Sequence, residues 1–481
     1  MGCSAGGDRD KIIVDSIHGD IRLNEQELEV IDTPAFQRLR RIKQLQMGQV
    51  TYPSATHTRF AHSIGTLGLM ARILRTTGGM GLKERERKDL RLAALLHDIG
   101  HYPYSHLVEG LDNVKLVEEE IESDTPTVSG GKRLLRTTRY PGHEELGCIV
   151  VTEQRSLTKA LGGEQKAREI ADLFTRSTVR NAQFSKLITS SFDLDRLDYL
   201  LRDSCAAGVP YGHIDMNYLL NSIKVSEEGM LGFPEKALPA VEQFLMARFF
   251  MYRAVYYHKT TYGIEEACRQ LLRRARDKEE YGVPTDGDKV KDIAESEREW
   301  AGFDDSFVDT VVGKALDDKD GAIQCLAKAI QTRKPPKLLK EVVVLVPEKA
   351  KDHAGATFGD RVKDKLGKLI GKHGVLPGQF IYSELKPLAL EKAERRMTHE
   401  QWEKMDDSQK QQVGREEDEI IRVFVAGKSE PVSVTDVPHS IISKFRDSCF
   451  KIFRLYFVPR EKDKAALVGA LREEVKNWTE H

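Results

Sequence analysis

Leu92-Ala-Ala-Leu-Leu-His97-Asp98-Ile-Gly100-His101 ends an apolar run in a histidine and a carboxylate side by side. Glycine follows at once, and His106 lies just beyond His101. Apolar residues that bury themselves thus carry metal-capable groups to their own end. A buried His-Asp pair is costly unless it is hydrogen-bonded, paired or bound to a cation. The rest of the chain can be searched for what offsets that cost.

Upstream, the turn-rich Tyr52-Pro-Ser-Ala-Thr-His-Thr58 leads into a helix expected from Arg59, on which His62, Leu69 and Ile73 share one face. His62 therefore points inward, either as a hydrogen-bonded core histidine or as a ligand. Downstream, Gly142-His143-Glu144-Glu145 opens another apolar stretch, with acids where a helix start favours them. In Ser190 to Asp203, the residues Asp195, Asp198, Tyr199 and Arg202 fall on one helical face beside a row of leucines. That face is either an ion-laced surface or the lining of a cleft.

Composition sets the bounds. The 481 residues suffice for a large helical core and smaller units, and 74 basic against 75 acidic side chains give no global charge for nucleic acid or membrane. Six cysteines form no CxxC pair, which speaks against a disulfide framework or zinc ribbon. No apolar run approaches the ~20 residues of a spanning helix. The chain reads as a cytoplasmic protein without a membrane partner, and nucleic acid is not an expected partner. The fold class expected is mainly α, a helical body over 11–335 after a flexible N-terminus, 1–10. An exposed insertion is expected over 111–140, where an acidic run passes into a basic one. Short β-branched runs at 341–346, 421–425 and 451–458 predict a smaller α+β lobe over 336–481, with a charged excursion at 390–419. Asp32-Thr33-Pro34 divides 25–45 into two helices, and by pattern Arg38, Arg40 and Arg41 form a solvated face.

His62, His97, Asp98 and Asp195 make a nitrogen and oxygen ligand set suited to a transition-type divalent ion rather than calcium. Such an ion activates water and polarises phosphoryl oxygens. With His101, His106 and His143 nearby for proton transfer and arginines for phosphate, the chemistry that fits is phosphoester hydrolysis.

The order His62…His97-Asp98…Asp195 resembles the signature of the HD-domain metal phosphohydrolases. The surrounding text, Ile31-Asp-Thr-Pro-Ala-Phe-Gln-Arg-Leu-Arg-Arg-Ile-Lys-Gln-Leu45, Arg59-Phe-Ala-His-Ser-Ile-Gly65, His97 to His106 and Asp193 to Asp203, is similar to the deoxynucleoside triphosphate triphosphohydrolases. The likeness includes members linked to a sterile alpha motif and stand-alone bacterial ones, and it runs from about 11 to 275. It implies hydrolysis of a dNTP to deoxynucleoside and inorganic triphosphate. It implies a divalent cofactor (Mn, Fe, Zn, Mg, Ni or Co) on His62, His97, Asp98 and Asp195. His101, His106 and His143 would meet phosphate or move protons, with Glu144 supporting His143 and Glu109 standing where the family commonly has aspartate. Arg59, Arg248 and Arg196 would hold phosphates; Gln44, Tyr199 and Asp203 would read the sugar, and Leu45 would crowd a 2′-hydroxyl. Lys11, Asp32, Gln37 and Arg40 match a site for an activating guanine nucleotide or dNTP in a homotetramer or dimer of dimers, which moves Arg40 from solvated face to regulatory site.

Overall fold

The computed structural model describes residues 11–76, 81–113, 139–175, 187–188, 190, 192–226, 230–347, 362, 365–391, 420–446, 448–460, 463 and 465–478. Most of the expected insertion (114–138) and charged excursion (392–419), and the N-terminal ten residues, lie outside them.

The chain opens with an antiparallel hairpin, β1 (Lys11–Asp15) and β2 (Gly19–Leu23), paired from Lys11↔Leu23 to Asp15↔Gly19. Helix α1 (Glu25–Ile31) begins with a capping box between Asn24 and Glu27. It stops before α2 (Pro34–Arg38), where Thr33 caps and Pro34 occupies the first turn, so the predicted division holds. Four helices then frame the site: α3 (Arg59–Thr76), α4 (Glu84–Leu96), α5 (His106–Glu109) and α6 (His143–Glu153). Helix α7 (Leu194–Ala207), capped by Asp193 and closed by left-handed Gly208, packs on α3, which packs on α4. The apolar face of α4 is buried along Leu90, Leu92, Ala93, Ala94, Leu95 and Leu96.

Two helices follow, α8 (Leu238–Met251) and α9 (Lys259–Ala275), joined through a π-turn at Tyr252–Tyr256. Helices Gly287–Glu295, Glu297–Gly302, Asp305–Ala315 and Gly321–Gln331 follow α9, and Arg155–Leu161, Glu164–Thr175 and Met216–Ser222 lie earlier in the body.

Strands β3 (Lys224–Val225), β4 (Leu231–Pro234), β7 (Arg422–Phe424) and β8 (Val432–Ser433) form one sheet, in which β4 and β7 run parallel. A second sheet has β9 (Ser448–Phe457) between β5 (Lys337–Pro347) and β6 (Phe380–Glu384), antiparallel to both. This sheet and the helix Ala465–Val475 enclose a small core of Leu339, Phe380, Phe453, Leu455, Phe457 and Leu471. The lobe expected from 336 is nonetheless not self-contained. Ile381, Leu388, Ile421, Val423 and Tyr456 belong to the large core of the body, and Tyr456 Oη donates to the Lys259 carbonyl.

One acid is buried in α9. Glu265 is 5% exposed, and burial pushes its pKa up to about 7, although Arg269 and the Met47 backbone N–H favour its anion. The folded pKa lies above the unfolded one, so the folded state holds the extra proton. Stability is therefore full below about pH 4.5 and is lost as pH rises towards 7. Glu265→Gln should raise the melting temperature at pH 8 and leave it unchanged at pH 5. The expected gain at pH 8 is of the order of 3 kcal/mol, and urea melts at the two pH values test it.

Candidate metal centre

Helix α3 places His62 one turn inside its start, fully buried, and α4 ends with His97 as its C-terminal cap. The His97 Nδ1 bonds the Ala94 carbonyl 2.8 Å away, and the His62 Nδ1 bonds Asp198 Oδ2 at 2.6 Å. Both rings thereby turn Nε2 to a common point, where Asp98 and Asp195 also arrive. Asp195 Oδ1 lies 2.9 Å from His62 Nε2 and 3.8 Å from His97 Nε2. Asp98 Oδ2 is 3.5 Å from His62 Nε2 and Oδ1 is 3.5 Å from His97 Nε2. Both Nε2 atoms are buried without a well-formed hydrogen bond. Two imidazole nitrogens and two carboxylates converging on one point fit a divalent ion of the zinc, manganese or iron type. Burial opposes a charge on His62, yet Asp195 and Asp198 outweigh it and push its pKa up to about 10. Ion uptake therefore competes with protons.

Asp98 also faces outward. Arg59 Nη1 donates to its Oδ2 at 2.7 Å, and His101 Nε2 is 3.1 Å from Oδ1. Burial favours the neutral acid, but Arg59 first and then His97 and His101 hold Asp98 well below the usual carboxylate range. His101 stacks on His143 with ring centroids 4.2 Å apart, and His106 meets both edge-on. Gly100 makes this approach possible. A Cβ there would stand 2.1 Å from the His143 carbonyl and 2.2 Å from the Gly147 nitrogen, so only glycine lets α6 come this close.

Glu109 organises the outer histidines: Oε2 accepts from His106 Nδ1 at 2.6 Å, and Oε1 accepts from His143 Nδ1 at 2.9 Å and from its backbone N–H at 3.0 Å. Burial opposes protonation of His143, but Glu109 outweighs it and its pKa is raised. Burial, then Arg59 and His143, drive His101 well below its ordinary value. The two stacked imidazoles are thus pushed in opposite directions, the pattern of an acid beside a ring that favours its neutral form. Glu144, the expected support of His143, favours its protonated form through charge and not through contact. It is exposed at the second position of α6, and the carboxylate that touches His143 is Glu109, from α5.

The model of the HD domain family matches residues 59–128, which include His62, His97 and Asp98, and the HD associated region model matches 214–294. Three of the four residues that converge at the centre thus lie inside the segment that resembles the HD domain. An uncharacterized protein of Methanocaldococcus jannaschii, MJ1154, is 36% identical over 290 residues, 59% of this chain and 52% of that relative. The deoxynucleoside triphosphate triphosphohydrolase SAMHD1 homolog of Dictyostelium discoideum is 26% identical over 399 residues, 78% of this chain and 67% of that protein. This chain spans about half the length of MJ1154. The crystal structure of a phosphohydrolase from Bacteroides thetaiotaomicron superposes with a TM-score of 0.67 at 22% identity, covering 94% of this chain and all of that one, a likeness of fold.

Around this centre, the structure places the other expected residues unevenly. Gln44 and Leu45 are buried at 7% and 8% exposure, with the Gln44 N–H on the His57 carbonyl. Asp203 is held on both oxygens, by His57 Nε2 at 2.7 Å and Tyr256 Oη at 2.8 Å. Tyr199 packs edge-on against Tyr256. Arg196 donates to the Ser190 carbonyl, and Arg248 donates to the Leu390 carbonyl at 2.7 Å. Lys11, Asp32 and Arg40 are exposed. Arg40 lies 3.5 Å over the Phe60 ring and donates to Gln37 Oε1 at 2.8 Å.

Arg38 departs from the solvated face expected of it. It is fully buried, 3.8 Å over the Trp300 ring, and donates to the carbonyls of Phe303 at 2.7 Å and His101 at 2.8 Å. Asp305 works on the same loop by accepting from the Tyr104 N–H at 2.6 Å. Tyr104 and Ser105 have φ of 48° and 52°, strained for residues with side chains, and these bonds hold the strained turn between His101 and His106. His57, Arg38 and Asp305 thus join the site by contacts across more than sixty residues of sequence.

No helix among the described residues is long and apolar enough to cross a membrane.

Proposed function

We propose that this protein hydrolyses deoxynucleoside triphosphates to deoxynucleoside and inorganic triphosphate with the help of a divalent ion. The observation that carries the reading is Asp98. One of its oxygens faces both His97 and His101, and the other takes Arg59, so an ion site and a set of proton-handling imidazoles share one carboxylate. A site that only bound a nucleotide would need the cations but not the paired histidines. A divalent ion on His62, His97, Asp98 and Asp195 would supply Lewis-acid polarisation and activation of water.

The chain's own groups do the rest. Arg59, anchored on Asp98 and Ser105, presents fixed positive charge to phosphate oxygens. Glu109 holds His143 Nδ1 and raises its pKa, which favours the doubly protonated ring whose Nε2 can donate to phosphate or to the departing 5′-oxygen. His106, fixed through Nδ1 by the same carboxylate, adds a second imidazole at the exposed rim, and burial lowers its pKa towards the neutral, proton-accepting form. Leu45 beside Gln44 supports selection against a 2′-hydroxyl, since a buried leucine offers a ribose steric contact and no partner. The same reading makes the protein a nucleotide-activated homotetramer, with exposed Lys11, Asp32 and Arg40 and with Gln37 as the activator contacts.

The test is a panel of dNTPs and NTPs, singly and in pairs, over Mg, Mn, Fe and Zn, with products identified. Deoxynucleoside plus triphosphate is expected from dNTPs and little from NTPs. Release of pyrophosphate or orthophosphate, or equal use of ribonucleotides, would overturn the assignment.

A further inference from the structure

The nitrogen of His62 that faces away from the ion site ends on a buried network that reaches the N-terminal hairpin. Asp198, fully buried, accepts from His62 Nδ1 on Oδ2 at 2.6 Å, from Arg202 Nε and Nη2 at 2.8 Å each, and meets His18 Nε2 on Oδ1 at 2.6 Å. Arg202 continues to Asp15 through Nη1 at 2.9 Å and Nη2 at 3.1 Å. Asp15, the last residue of β1, also accepts from the N–H groups of Ile17 and His18 at 2.9 Å. The turn of the hairpin is therefore tied at Asp15 and His18 to one carboxylate of α7. Gly65, one helical turn after His62, clears the space: a Cβ there would fall 2.0 Å from Asp198 Oδ1 and 2.3 Å from Arg202 Nη2.

We propose that Asp198 is the positioning residue of the metal centre, and that the β1–β2 hairpin is part of that centre because it holds Asp198 in place. A histidine ligand binds through one nitrogen, and the proton on its other nitrogen fixes tautomer and ring direction. Asp198 keeps that proton on Nδ1 and so keeps the Nε2 lone pair aimed at the ion. Arg202 offsets one of the two carboxylate charges, which leaves a net negative charge behind His62 that strengthens it as a donor. A structural ion pair alone would need Asp198, Arg202 and Asp15, but not a histidine nitrogen 2.6 Å away whose other nitrogen reaches the ligand cluster. The proposal rests on the metal reading above.

Two readouts on the full chain test it. In the metal-free protein, at a pH high enough to remove one of the two His62 protons, long-range 15N–1H NMR of the imidazoles should show the remaining one on Nδ1, and Asp198→Asn should mix or reverse that tautomer. In competition titrations with Mn2+ and Zn2+, Asp198→Asn should bind about ten- to a hundredfold more weakly. Asp15→Asn and His18→Gln should weaken binding in the same direction by less; they act one contact further out and serve if Asp198→Asn does not fold. Folded variants with unchanged affinity and unchanged tautomer overturn the proposal. Should wild-type protein bind neither ion while its His62 tautomer still depends on Asp198, the metal reading fails and the positioning role stands.

Discussion

Asp195→Ala should leave the helical body standing and remove both the bound ion and turnover. Asp195 is the proposed ligand with an open side, its side chain 30% exposed. The start of α7 is fixed by the neighbouring Asp193, which caps the Arg196 N–H at 2.7 Å and accepts from Ser190, so the helix survives the substitution. What goes is the carboxylate that His62 and His97 both face. Metal content of the purified protein should fall from near stoichiometric to trace, and turnover by at least about a thousandfold, with an unchanged circular dichroism spectrum. A folded, metal-loaded and active Asp195→Ala removes Asp195 from the ligand set.

Arg38→Ala should cost stability and activity together. Two carbonyls, of His101 and Phe303, lose their donor inside the core, at about 1–3 kcal/mol each, and Trp300 loses the guanidinium that covers it. The strained turn from His101 to His106 then has Asp305 but no Arg38 to hold it. The expected result is a melt shifted by several kcal/mol, and reduced turnover even at temperatures where the variant is folded. Arg38→Lys should recover little, since an ammonium on a flexible stem does not reach two carbonyls in fixed directions. Urea melts with single-temperature kinetics decide the matter. A Lys variant as stable and active as the parent would show that charge alone matters at position 38.

The helix ends and the inward turn of His62 were legible because they follow from period and punctuation. Leucines lead to His97, Pro34 opens a helix, and β-branched runs mark β5, β7 and β9. The hairpin partner Gly19–Leu23 was not legible, since two of its five residues are charged and one is glycine. Arg38 and Asp198 look like surface charge in sequence because the partners that bury them, Phe303 and His101 for one and His18 and His62 for the other, lie 63 to 265 residues away. Glu144 was the support expected for His143, while the carboxylate that touches it is Glu109. The choice depended on α5 and α6 meeting, which follows from Gly100, a contact that no local pattern encodes.

The sheet arrangement also governs when the protein can finish folding as it is made. Strand β7 joins β4 across about 190 residues of chain, and β9 is the middle strand of its sheet although it is synthesised after both of its neighbours. Until residue 457 has left the ribosome, β5 and β6 have no partner between them and present open edges. Contacts this distant in sequence are slow to close, and the waiting strands are the segments most exposed to association with other nascent chains. The histidine and aspartate ligands, all present by residue 195, are therefore assembled long before the body that encloses them is complete.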